Sequence, residues 1–185
     1  EVKVPRTFAN RRVDTGNILG VVGERYEIMQ NEDKFHFADK VIGDEGAHYH
    51  VAGALGMGEK VWLLAKLPED ILIAPDDIAN MYLLFVGGHD GNTALEMFYT
   101  VVRVVCQNTL RAAQANRKDT KYYFSTRHTA NAKHKVEEAR QKLGLALTFA
   151  NTFKEESNAM VNVKLSTAEM LGYYIDNMAR EAFLD

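Results

Sequence analysis

The residues with the most chemical content form a basic and aromatic run in the second half of the chain. Arg103 and Arg111 come first, Arg117, Lys118 and Lys121 lead into Tyr122-Tyr123-Phe124, and Arg127, His128, Lys133, Lys135, Arg140 and Lys142 follow. Single-stranded nucleic acid is held by cations that track phosphates and by aromatic faces on which unpaired bases stack. Three consecutive aromatics inside a cationic stretch offer both. Arg127 and His128 are candidate direct phosphate contacts, helped by the hydroxyls of Thr126 and Thr129, and the segment 125–131 leads to a helix N-terminus that favours an anion. A structural role competes with this one: a strand whose Tyr and Phe pack under a helix while the lysines point into water.

Other constellations are weaker. His48 and His50 share a strand face by the two-residue period and form a candidate metal chelate, with His89 as a third ligand. Two polar residues on a solvated strand face explain the same pattern. Gly87-Gly88-His89-Asp90-Gly91-Asn92 has the glycines of a phosphate cradle but neither the lysine nor the Ser/Thr of a P-loop, so a tight turn between strands is expected. The one cysteine, Cys106, beside Val104 and Val105, reads as a buried structural thiol. No pair of carboxylates has the spacing of an acid/base couple, and no catalytic residue or cofactor is expected.

Charge is segregated along the chain. Residues 31–99 hold four Lys/Arg against twelve Asp/Glu, whereas residues 100–142 hold ten against three, although the whole chain of 185 residues has a formal charge of only −3. The basic block is either a footprint for phosphates or a face neutralised across the fold by the acidic block. With 46% hydrophobic and 25% charged residues the composition is that of a globular protein, and no apolar run approaches the length of a bilayer span. A single cysteine excludes an internal disulfide framework and suits a reducing compartment. Glu1 is expected to begin a fragment of a longer chain, since neither an initiator Met nor a leader precedes it.

The elements that must position these residues are legible in outline. Phe8–Val13 and Ile18–Val22 flank Asp14-Thr15-Gly16-Asn17, a hairpin signal. Asn31 is a candidate N-cap for a helix with Phe35, Ala38, Val41 and Ile42 at helical spacing and Gly43 as its stop. A second hairpin is expected from His48–Ala52 and Val61–Ala65, turning at Gly56-Met57-Gly58. Met81–Val86 has no polar alternation and reads as a central strand covered on both faces, followed by a strand near Ala94–Val101. A helix is expected from near Arg103, a long amphipathic helix from Asn131 through Phe153 despite Gly144, and a last helix opened by the capping box Ser166-Thr167-Ala168-Glu169. The fold class is α+β: an antiparallel β-meander packed by helices on one side, then a long helix and a C-terminal helix. Residues 1–116 are expected to form the sheet unit, and residues 117–185 a basic connector and helical region packed on the same single domain.

Several strings resemble an uncharacterised family. They are Thr15-Gly16 and Leu19–Tyr26, Val61–Pro68, His89-Asp90-Gly91, Val102–Leu110 and Phe124–Asn131, in family order and spanning roughly residues 8–150. The family is the "phage/plasmid-like protein" domain of unknown function, carried by phages, prophages and conjugative plasmids. The resemblance implies a mobile-element origin and the cytoplasm of a bacterial host cell, but no activity. The order hairpin, hairpin, strand, helix, then a basic helical region is also similar in topology to phage single-strand annealing proteins. That likeness implies a single-strand DNA binding or annealing protein of recombination or replication, forming rings or filaments of identical subunits; the lack of a bilayer-length apolar run adds the expectation of no membrane partner. A metal-dependent enzyme using His48, His50 and His89, and a protein-binding anti-defence or structural phage factor, are the alternatives.

Overall fold

The computed structural model describes residues 5–43, 47–73, 77–115, 122–129 and 135–176. It contains a two-stranded antiparallel sheet, β1 (Thr7–Arg11) and β2 (Ile18–Gly23), and a five-stranded one. The larger sheet has the order β3 (His48–Leu55), β4 (Lys60–Ile73), β5 (Asp77–Gly88), β6 (Leu95–Thr100), β7 (Phe124–Thr126), every pair antiparallel. Among the described residues five helices accompany them: α1 (Asn31–Ile42), α2 (Gln107–Gln114), α3 (Val136–Leu143), α4 (Ala146–Val161) and α5 (Thr167–Tyr174). The chain is an α+β protein built on a β-meander.

Side chains alternate across a strand, so β5 loads two cores at once. Met81, Leu83 and Phe85 face one side with Leu63, Ala65, Met97 and Tyr99, under Phe37 and Val41 of α1 and Ala139 and Leu143 of α3. Tyr82, Leu84 and Val86 face the other with Trp62, Leu64 and Phe98, under Leu110 and Ala113 of α2. The double coverage expected for Met81–Val86 therefore holds. The larger sheet as a whole is packed on both sides, not on one, because α2 folds back over the second face.

Local signals account for most element ends. Gly43 closes α1 at φ 54, where its N–H reaches Asp39 O at 2.8 Å. The residue before α1 is Gln30, not Asn31, and its N–H donates to Asp33 Oδ2 at 3.2 Å. The buried stripe of α1 is Lys34, Phe37, Ala38, Val41 and Ile42, so Phe35 is exposed and the helix is rotated relative to the expected phase. The helical stretch after residue 135 is interrupted: α3 ends at Leu143, and α4 starts at Ala146. Ser166 caps α5, accepting from the Glu169 N–H at 3.3 Å while Glu169 Oε2 accepts from Ser166 N–H at 2.8 Å. Cys106 is exposed ahead of α2, which corrects the buried thiol.

Gly53 of β3 lies opposite Trp62, and a Cβ there would fall 2.2 Å from two ring atoms of that buried indole. Gly23 has nothing within 4 Å of the same position. Gly53→Ala is expected to destabilise the protein by about 1–3 kcal/mol, the usual cost of overpacking. Gly23→Ala should stay within about 0.5 kcal/mol of the parent. Urea unfolding midpoints of the two variants check the contrast.

Candidate functional site

One end of the larger sheet gathers most of the polar and cationic chemistry. Register places Lys60 beside Gly88 and Leu95 beside Thr126, so the β3–β4 turn, the β5–β6 loop and the exit of β7 share that end. The β1–β2 hairpin docks there through backbone: a Cβ on Gly20 would sit 2.6 Å from Asp90 C and O, so only glycine permits the approach. Asn10 Nδ2 donates to His89 O at 2.8 Å, and His89 N–H donates to Glu59 O at 2.7 Å. Arg12 holds Asp14 at 2.6 Å and Met57 O at 2.7 Å, joining the hairpin loop to the β3–β4 turn.

Under the hairpin lies a buried polar triangle. Lys34 Nζ is 2.8 Å from His89 Nε2 and 3.4 Å from Asn31 Oδ1, which is itself 2.8 Å from His89 Nε2. Lys34 occupies an apolar position of the α1 stripe, and Gly87 makes room for its stem, since a Cβ there would lie 2.9 Å from Lys34 Cε. Burial brings the Lys34 ammonium down to about 8. Burial first, then the charge of Lys34 and the proximity of His128, bring His89 down to about 4. At neutral pH the imidazole is neutral and the lysine mostly cationic, and the tautomer of His89 decides whether Nε2 accepts from Lys34 or donates to Asn31 Oδ1.

Beside the triangle opens a cleft of about 550 Å³. Arg25 and Tyr26, which follow β2, line it together with Arg127, His128 and Thr129, which follow β7, and residues 91–94 of the β5–β6 loop. The two flanking segments are zipped by Glu27 N–H on His128 O at 3.1 Å and by the Tyr26 ring stacked on His128, centroids 5.1 Å apart. The loop does not act as a phosphate cradle. Its Asn92 and Thr93 N–H groups donate to Asp90 Oδ1 at 3.0 and 2.7 Å, so the turn satisfies itself.

His128 is 6% exposed, and neither ring nitrogen has a hydrogen-bond partner. The carbonyls of Thr93 and Glu27 approach the ring without reaching hydrogen-bond geometry. Burial, then the charge of Lys34, holds the imidazole down to about 4, with Asp90 pulling the other way. Among the described residues neither Arg25 nor Arg127, both exposed, forms an ion pair.

The expected site residues separate into groups. Arg127 and His128 lie together on the cleft with Thr129, while Arg111 is exposed on α2 and lines a second depression with Lys60 and Gln114. Arg103 is exposed before α2. Lys135 pairs with Glu138 at 3.7 Å, and Arg140 donates to Lys40 O at 2.7 Å, which pins α3 to α1. Arg117, Lys118, Lys121 and Lys133 lie outside the described residues.

The aromatic platform is corrected. Tyr122 packs edge-on against Tyr99 and Phe149, and Phe124 stacks on Phe37, both inside the first core. Tyr123 points to the opposite face, half-buried, where its hydroxyl donates to Glu96 Oε1 at 2.9 Å. The strand period divides the run between two cores and leaves no face for bases.

The three-histidine metal site is corrected too. His48 pairs with Lys66, which pairs with Tyr82, six residue steps along β5 from Gly88 and so ~20 Å from His89. A register shift between Tyr49 and Val51 also breaks the period at His50, whose ring leans on Tyr82. Among the described residues no three His, Cys, Asp or Glu side chains gather to hold a metal.

Arg25, Tyr26, Lys34 and Asn31 escaped sequence reasoning. A lysine in phase with Phe37, Ala38, Val41 and Ile42 was the available signal for the triangle. For the cleft the signal was Arg25-Tyr26, one residue beyond the glycine-bearing strand Ile18–Gly23.

The two depressed imidazoles predict acid lability. Between about pH 6.5 and about 4 the unfolded chain takes up protons that folded His89 and His128 refuse, so stability falls as pH falls. The slope contributed is at most about 1.4 kcal/mol per pH unit for each imidazole. The Lys34 window lies higher, from about 8 to its ordinary 10.5, and does not overlap. Urea unfolding across this range is expected to show a shallower acid loss for His128→Phe, which keeps a ring against Tyr26; an unchanged slope would contradict the assignment.

Comparison with known proteins adds a family and no activity. No curated protein and no solved structure matches the chain. The family model described as "Domain of unknown function (DUF932)" matches residues 18–182, from the start of β2 through α5, and the chain belongs to that family.

Proposed function

We propose that the protein binds single-stranded nucleic acid by its phosphates, with the Arg25–Arg127 cleft as the principal contact. The observation that carries this reading is a cleft bearing two exposed guanidinium groups, neither in an ion pair among the described residues, from segments far apart in sequence. Arginine suits phosphate oxygens because its planar fork donates two parallel N–H groups. Arg111 and Lys60 line a neighbouring depression at the same end of the sheet, so a strand leaving the cleft has further cations within reach. Sequence-independent phosphate contact is the dominant mode, because the aromatic run is core.

The order of elements, similar to that of annealing proteins, and the resemblance to a phage and plasmid family support single-stranded DNA in recombination or replication of a mobile element in a bacterial cytoplasm. No covalent chemistry is required, since annealing needs only strands held extended with bases exposed. Self-assembly belongs to the same proposal. β3 is an eight-residue edge strand, and α5 with the residue that follows it exposes Met170, Leu171, Tyr173, Tyr174 and Ile175, each more than half accessible. No helix among the described residues is long and apolar enough to cross a membrane.

Labelled oligonucleotide binding should weaken steeply with salt, and the slope should decrease by about 0.7 for each cation removed. Arg25→Ala and Arg127→Ala, both at exposed positions, are expected to weaken binding about three- to tenfold each and to act on all sequences alike. Affinity that ignores salt and both substitutions would sink the proposal. Gel filtration with and without oligothymidine tests the assembly. A particle larger than the 20.8 kDa chain, reduced in size by Leu171→Glu, is expected, and a monomer under both conditions would refute it.

A further inference from the structure

Two polar atoms of His128 are buried without partners, which ordinarily costs about 1–3 kcal/mol for each such group. Among the described residues it is the one titratable side chain in that condition. Folding could have avoided the cost with an apolar ring, since the stack on Tyr26 needs only a flat face. Instead an imidazole lines the cleft, between residues that bring two guanidinium groups and the Thr129 hydroxyl. A cleft of about 550 Å³ lies within the range of small-ligand sites.

We propose that the cleft is a receptor for a phosphate monoester, the terminal phosphate of a strand or of a mononucleotide, with a His128 ring nitrogen, Thr129 Oγ1 and the Arg25 and Arg127 guanidinium groups as its donors. This deepens the strand-binding reading and rests on it for the strand. A monoester has three non-bridging oxygens and nearly two negative charges at neutral pH. Two arginines match that charge, and two forks, an imidazole and a hydroxyl match the oxygens. An internal phosphodiester has one charge and two such oxygens, and so matches two guanidinium groups less well than a monoester does.

The electrostatics of the free site support the same ligand. Burial and the charge of Lys34 of α1 disfavour a charge on His128, while Asp90 of the β5–β6 loop and the backbones of Thr93 and Glu27 favour it; Tyr26 covers one ring face, and Arg25 and Arg127 line the same cleft. A dianion against the ring reverses that balance, so ligand binding is coupled to proton uptake by His128.

NMR titration of the histidine Cε1–H resonances, with His128 assigned through His128→Asn, measures this directly. Excess inorganic phosphate is expected to raise the His128 midpoint by about one pH unit or more, and Arg25→Gln with Arg127→Gln should abolish the rise. Oligothymidine bearing a 5′- or 3′-phosphate should bind about tenfold tighter than its hydroxyl-ended counterpart, and the advantage should vanish in His128→Asn. A preference only for the mononucleotide would identify the free ligand as the source. Equal binding of phosphorylated and unphosphorylated oligothymidine, with the His128 midpoint unmoved by phosphate, overturns the terminal-phosphate site and leaves the strand-binding reading standing. A shifted midpoint with no oligonucleotide binding at all does the reverse.

Discussion

The β1–β2 hairpin shares no strand pairing with the main sheet, so its position depends on contacts at the head of the β5–β6 loop, where Gly20 approaches the Asp90 backbone and Asn10 reaches the peptide of His89. The carbonyl of that residue takes a hydrogen bond from Asn10 of β1, its N–H donates to Glu59 before β4, and its ring meets Lys34 and Asn31 of α1. Four parts of the chain converge on one residue at the head of the β5–β6 loop. The hairpin in turn sets where Arg25 and Tyr26 emerge, and those two close the cleft over Arg127 and His128. Substituting His89 would therefore leave Lys34 buried without its closest acceptor. A buried charge that loses its hydrogen-bonded partner is among the more damaging changes a fold can suffer.

Clustering of charge along the sequence differs from clustering in space. Of the basic block, Arg140 and Lys135 are engaged locally, one bridging α3 to α1 and the other paired along its own helix. Arg127 stands on the cleft, but its companion there is Arg25, about a hundred residues earlier and outside the block. The middle aromatics do not join the cations because a strand sends alternate side chains to opposite faces, and both faces here are dry. What brings cations together is the return of the hairpin to the end of the sheet.

The same distinction explains what was legible. Hairpins at residues 14–17 and 56–58, the double-faced strand Met81–Val86 and the Ser166 capping box are local signals, and each structure formed where its residues indicated. The phase of α1 has no such local signal: Phe35 is the more hydrophobic residue, yet Lys34 lies on the stripe, drawn in by His89. That attraction is between residues 55 apart and has no local trace. Arg127 and His128 could be named from residue type. Their partners could not, since Arg25 and Tyr26 become neighbours through the docking of the hairpin, where Gly20 meets Asp90 and Glu27 meets His128.

A buried cationic lysine, a neutral histidine beside it and an imidazole with no partner together weaken the free protein at one end. The sheet offsets this elsewhere: Met81, Leu83, Leu84 and Val86 of the central strand are at most 1% exposed, and both faces of β5 are closed by helices. A rigid apolar slab can carry unfavourable polar groups at its rim without losing its shape, because the two involve different residues and different contacts. The rim is then free to keep groups whose hydrogen bonds are completed only when something enters. His128 fits that description better than any other described side chain, being held by stacking and backbone contacts that leave both ring nitrogens unused.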